Sequence, residues 1–154
     1  MTKLISLVGA FLLILASATA SLADAELNVT ATGLALRGVD PVSYFTDSGP
    51  RPGSFKITAV HKGAIYRFAS EENKTAFSAN PDRYLPQYGG FCAMGVKMGQ
   101  KLDGDPAVFT IVGGKLYLNV APPVAEMWRP KAATNIKDAD ENWTRIMDKA
   151  PDSL

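Results

Sequence analysis

Cysteine and histidine are the scarcest of the chemically useful residues in this chain of 154, with one of each. One cysteine excludes an internal disulfide framework. One histidine excludes zinc sites built on paired imidazoles, such as a helical H-E-x-x-H. A surplus of either charge is also missing. Sixteen Lys and Arg stand against 15 Asp and Glu, so no strong field is available to hold a nucleic acid or an anionic bilayer. The sequence has no nucleotide-binding glycine loop, internal repeat, low-complexity tract or Gly/Ser linker. What remains is 47% hydrophobic and 20% charged residues, the balance of a folded protein of about one domain.

The first stretch reads as a targeting segment. Lys3 precedes an apolar run from Leu4 to Ala16, interrupted only by Ser6 and Gly9, and small residues continue to Ala25. A bilayer span needs roughly 20 apolar residues, so a cleaved secretory signal peptide over residues 1–25 fits better than an uncleaved anchor. Small-x-small patterns place cleavage after Ala20, Ala23 or Ala25, and no cysteine follows that could carry a lipid. Removing Met1 to Ala20 takes away Lys3 and no acid, leaving a near-neutral chain. In a bacterium the expected destination is the periplasm or the outside, with no membrane contact after cleavage. The sequons at Asn28, Asn73 and Asn142 matter only in a eukaryotic secretory pathway.

Residues 26–154 are expected to form a single α+β domain with two β-hairpins, several short helices and a C-terminal amphipathic helix. Phe55 to Val60 and Ala64 to Phe68 are β-rich runs around a turn at His61-Lys62-Gly63. Ser70 predicts a helix cap, followed by Glu71 and Glu72 at the positive end of the dipole and a helix to about Ala79. Asn80-Pro81 opens another short helix. Val108 to Val112 and Lys115 to Val120 flank Gly113-Gly114, a second hairpin. Pro122-Pro123 starts a short helix to Trp128. Ile136, Ala139, Trp143, Ile146 and Met147 share one face of a last helix over about 135–149.

Cys92 is the residue most able to carry chemistry, because a lone thiol in an oxidising compartment is buried, metal-bound, paired with another molecule or reactive. Copper(I) prefers thiolate and thioether sulfur, and Met94 and Met98 follow Cys92 by two and six positions. Regular elements do not gather these sulfurs. On a helix Met94 lies about 200° round from Cys92, and on a strand Met98 lies about 20 Å away. A turn at Gly95 would have to fold Met98 back, or His61 would have to arrive from the hairpin. The candidate metal ligands are therefore Cys92, Met94, Met98 and His61. The competing expectation is a buried structural thiol, with the methionines as core filling and His61 in an exposed turn. Asp103-Gly104-Asp105-Pro106 reads as a turn rather than a calcium loop, which wants six to eight oxygens. A thiol enzyme lacks a placed base, so no catalytic constellation is expected.

Tyr66-Arg67-Phe68-Ala69-Ser70, then Phe77 and Asn80-Pro81-Asp82-Arg83-Tyr84, resemble a YHS domain, with a core over about 38–99. The likeness extends toward a secreted, uncharacterised branch through Gly38-Val39-Asp40-Pro41-Val42-Ser43-Tyr44-Phe45, Tyr88-Gly89-Gly90-Phe91-Cys92-Ala93 and Gly114-Lys115-Leu116-Tyr117-Leu118-Asn119. The resemblance implies suspected metal binding, copper first. Members suspected of it carry cysteines where this chain has Ser43 and Ala69, and in the following helix, which here contains none. Two functions are thus expected to compete: soft-metal handling, and a metal-free binding module for a small molecule or a partner protein. A thiol redox protein is a third.

Overall fold

The computed structural model describes residues 25–46 and 49–154; the signal-peptide reading of the first 24 residues lies outside them. The architecture is a small α+β domain. Strand β1 (Ser54–His61) pairs antiparallel with β2 (Ala64–Phe68), and β3 (Asp105–Val112) with β4 (Lys115–Asn119), as two separate two-stranded sheets. Both hairpins close on two-residue turns in which each residue has positive φ: Lys62 at 48° and Gly63 at 82°, Gly113 at 57° and Gly114 at 74°. Such turns match the right-handed twist of the flanking strands. His61 is consequently the last residue of β1, paired with Ala64, and not a turn residue as expected.

The helices are α1 (Glu71–Ala79), α2 (Ala93–Lys97), α3 (Pro122–Trp128) and α4 (Ala132–Ile146), with short 3-10 turns between them. Ser70 caps α1, its hydroxyl accepting from the Asn73 amide at 3.2 Å. Helix α4 begins and ends three residues earlier than expected. It follows directly on a 3-10 turn over Arg129–Lys131, and the carbonyls of Met147 and Lys149 beyond its end are taken by the Lys101 ammonium at 2.8 and 2.6 Å. Among the described residues no helix is long and apolar enough to cross a membrane.

Two apolar cores meet at β4. In β2 the alternate residues Ala64, Tyr66 and Phe68 are buried, and they join Leu36, Tyr44 and Phe77 in the first core. Both faces of β4 are covered, so its period of two sorts side chains between cores. Leu116 and Leu118 enter the first, and Tyr117 enters the second with Phe91, Val96, Trp128 and Ala139. Short bridges add backbone to the inner strands: Leu34 beside Ile65, Pro86 beside Leu116 and Cys92 beside Leu118.

Buried phenols make the fold sensitive to alkali: burial raises Tyr44, Tyr66, Tyr88 and Tyr117 alike, with the first two as examples. Tyr44 and Tyr66 are 4% and 2% exposed. Burial pushes Tyr66 up to about 12, and burial together with the Asp105 carboxylate raises Tyr44 further. An unfolded tyrosine ionises near pH 10. The stability these raised groups contribute is complete below about pH 10 and is lost as pH climbs toward the folded values. Lys101, lowered by burial, acts oppositely, but it is one group and its effect ends near its unfolded value of about 10.4. Urea titrations are expected to lose about 1 kcal/mol per phenol for each pH unit between about 10 and 12. Equal stability at about pH 9 and 11 would contradict the burial of these rings.

Candidate functional site

Cys92 is placed by backbone on both sides. Its amide donates to the Leu102 carbonyl at 2.8 Å, and it bridges to Leu118. The side chain is 0% exposed, between Phe91 at 3% and Ala93 at 0%. Its Sγ donates to Oδ1 of Asn119 at 3.7 Å, the oxygen that also accepts from the Met94 amide at 3.4 Å. The sulfur is thus closed off from solvent, with one amide oxygen as its polar neighbour.

The other candidate ligands lie in different surroundings. Met94 is half-buried against the second core. Met98 is 72% exposed, because α2 ends at Lys97 and Gly99, with φ of 77°, turns the chain away. His61 sets its ring edge-on to Phe77 at 5.9 Å, on the first core's side of the molecule, and its Nε2 is buried without a hydrogen bond among the described residues. No group of three or more His, Cys, Asp or Glu among the described residues is arranged to hold a metal ion. The Asp103 to Pro106 segment corrects the turn reading: Asp103 bridges to Phe91 and Asp105 opens β3, its carboxylate accepting from the Ala107 amide at 2.9 Å. Its carboxylates therefore belong to extended chain.

The concave surface lies elsewhere, on either side of the segment from Glu26 to Thr30. A cavity of about 250 Å³ is walled by Glu26, Leu27, Lys62, Tyr66, Leu85 and Trp143 among others. A smaller one of about 80 Å³ is walled by Asn28, Arg37, Tyr66, Gly90, Asp103 and Leu118 among others. Leu27, Tyr66, Pro86 and Gly89 line both. No family model, curated protein or solved structure matches the chain.

Two left-handed turns stand at the smaller cavity. Leu36, Arg37 and Gly38 have φ of 51°, 48° and 84°, and Tyr88, Gly89 and Gly90 have 55°, 61° and 90°. Non-glycine residues in this region cost of order 1 kcal/mol each and persist only where the surroundings hold them. Gly89 is required for a second reason: a Cβ there would fall within 1.8 Å of the Glu26 carbonyl oxygen. Tyr66 lines both cavities and contrasts with two other buried tyrosines. Tyr44 donates to the Pro106 carbonyl at 2.7 Å and Tyr88 to Asp140 at 2.8 Å, whereas burial alone sets the ionisation of Tyr66.

Sequence reasoning missed two buried charges. Asp40 is 0% exposed and Lys101 is 5% exposed. Asp40 had a local signal, since Asp-Pro favours turn initiation by side-chain bonding to the backbone. Lys101 had none, because its three acceptors are 46, 48 and 76 residues away.

Proposed function

We propose that the chain is an exported, non-catalytic, metal-free binding domain of YHS type, whose ligand is a small, largely apolar molecule with one polar group. The observation that carries this reading is Tyr66, shared by the walls of two cavities, its phenol backed by the first core. Binding sites of this kind are concave and mainly apolar, with few placed polar groups. Tyr66 would supply the orienting hydrogen bond, Trp143 and Leu85 the apolar wall, and Lys62 a cation at the rim. The rigid left-handed turns favour a preformed site. Export and family membership belong to the same proposal and rest on the sequence patterns.

Anilinonaphthalene sulfonate, an aromatic anion that brightens in apolar sites, is a suitable probe. Saturable binding is expected at neutral pH with intact near-ultraviolet circular dichroism. Lys62→Glu and Tyr66→Phe are each expected to weaken binding about tenfold, the effect of one lost polar contact of about 1.4 kcal/mol. Absence of saturable binding, or equal binding in all three proteins, would remove the reading. Copper(I) titrated anaerobically against a chelator is expected to bind weakly and equally to wild type and Cys92→Ser. A tight site lost in the variant would instead restore soft-metal handling through Cys92.

A further inference from the structure

Three bonds pin the start of the described chain to the body of the fold. The Lys101 ammonium donates to the Ala25 carbonyl at 2.6 Å. The Asn28 amide donates to the Gly89 carbonyl at 2.9 Å, and the Asn28 side chain to the Gly90 carbonyl at 3.1 Å. Between them the Glu26 backbone passes directly over Gly89. The same ammonium also holds Met147 and Lys149 at the other end of the chain, and it lies 5.4 and 5.1 Å from the ring centres of Phe91 and Trp143. Lys101 thus ties both ends of the fold at one desolvated point, and Ala25 supplies one of its three acceptors.

From this geometry we infer that leader processing occurs upstream of Asp24, after Ala20 or Ala23, and that Ala25 is part of the mature protein. The inference rests on the proposed export. Hydrolysis adds one water across one peptide bond, leaving a carboxylate on the leader and an ammonium on the mature chain. Cut after Ala25, that bond would lose the carbonyl Lys101 uses and put the Glu26 ammonium in its place. A second cation would then stand beside the Lys101 ammonium and the aromatic rings, where the Glu26 and Asp148 carboxylates offset the repulsion only in part and the lost carbonyl acceptor is not replaced. Cut after Ala20 or Ala23, the acceptor survives and the new ammonium lies at least one residue further out. The choice also bears on the cavities, since Glu26 and Leu27 wall the larger and Leu27 to Thr30 the smaller.

The test uses chains purified with native starts at Ser21, Asp24 and Glu26, and the full chain expressed in a secreting bacterium. Melting temperatures of the first two are expected to agree, with the third lower by about 5 °C, as suits loss of a charge-assisted bond in a domain of this size. In a Lys101→Met background the gap between the Asp24 and Glu26 starts is expected to close. Intact mass of the exported protein should give Ser21 or Asp24 as first residue. Equal melting temperatures, or a mature chain starting at Glu26, would overturn the inference while leaving export standing. A full chain kept uncleaved inside the cell would overturn it through the export reading itself.

Discussion

Asp40→Ala is expected to cost about 3 to 5 kcal/mol, a large fraction of the roughly 5 to 15 kcal/mol that holds a typical domain folded. The carboxylate is fully buried and satisfies three donors from three parts of the chain. Oδ1 accepts from the Val42 amide at 2.8 Å, and Oδ2 accepts from the Ala69 amide at 2.8 Å and the Asn73 side chain at 2.6 Å. These bonds join the turn after Asp40 to the end of β2 and the first turn of α1. Alanine leaves all three donors without an acceptor, at about 1 to 3 kcal/mol each before any water enters. Asp40→Asn keeps the shape but turns one oxygen into a donor facing an N–H, so it is expected to recover little. Urea unfolding followed by tryptophan fluorescence measures both. A change within about 0.5 kcal/mol for alanine, the range of an ordinary surface substitution, would show that these donors find water instead.

The contrast between Asp40 and the hairpins explains what the sequence could and could not disclose. A hairpin is a local object: Gly113-Gly114 between two β-rich runs specifies strand, turn and return within a dozen or so residues, and the turn and the strand ends beside it lie where that pattern puts them, while β3 starts earlier, at Asp105. The first hairpin gains Ser54 at the start of β1 and His61 at its end, the latter because Lys62 takes a positive φ and the turn closes on two residues. Helix α4 is legible through its spacing, with Ala139 and Ile146 buried on the expected face. The candidate site is a different kind of object. Its walls come from residues near 26, 37, 62, 66, 85 and 143, and no periodicity relates them. Cys92 was legible as a thiol without an internal partner, but its choice between ligation and packing depends on Asn119, 27 residues on. Met98 stood close to Cys92 in sequence and points into solvent because a glycine ends the helix between them and the next strand.

Trp128→Ala is the second large effect, at about 3 to 5 kcal/mol. The sequence pattern placed Trp143 on the apolar face of the last helix, yet Trp143 is half-buried while Trp128 is 0% exposed. Trp128 stacks on Tyr117 at 5.2 Å with the rings tilted by 39°, and its carbonyl accepts from the buried Asn135 side chain at 2.9 Å, which fixes the start of α4 against the end of α3. Removing the indole leaves a cavity among Tyr117, Val96 and Ala139 that rigid neighbours on three elements cannot close. Phenylalanine separates volume from polarity. The Trp128 Nε1 proton has no acceptor among the described residues, and a buried donor in that condition costs about 1 to 3 kcal/mol. Trp128→Phe loses part of the ring but also that penalty, so it is expected to fall within about 1 kcal/mol of wild type. A phenylalanine variant as unstable as the alanine one would mean that the indole N–H is bonded in solution, through a buried water bridging to a neighbouring polar group.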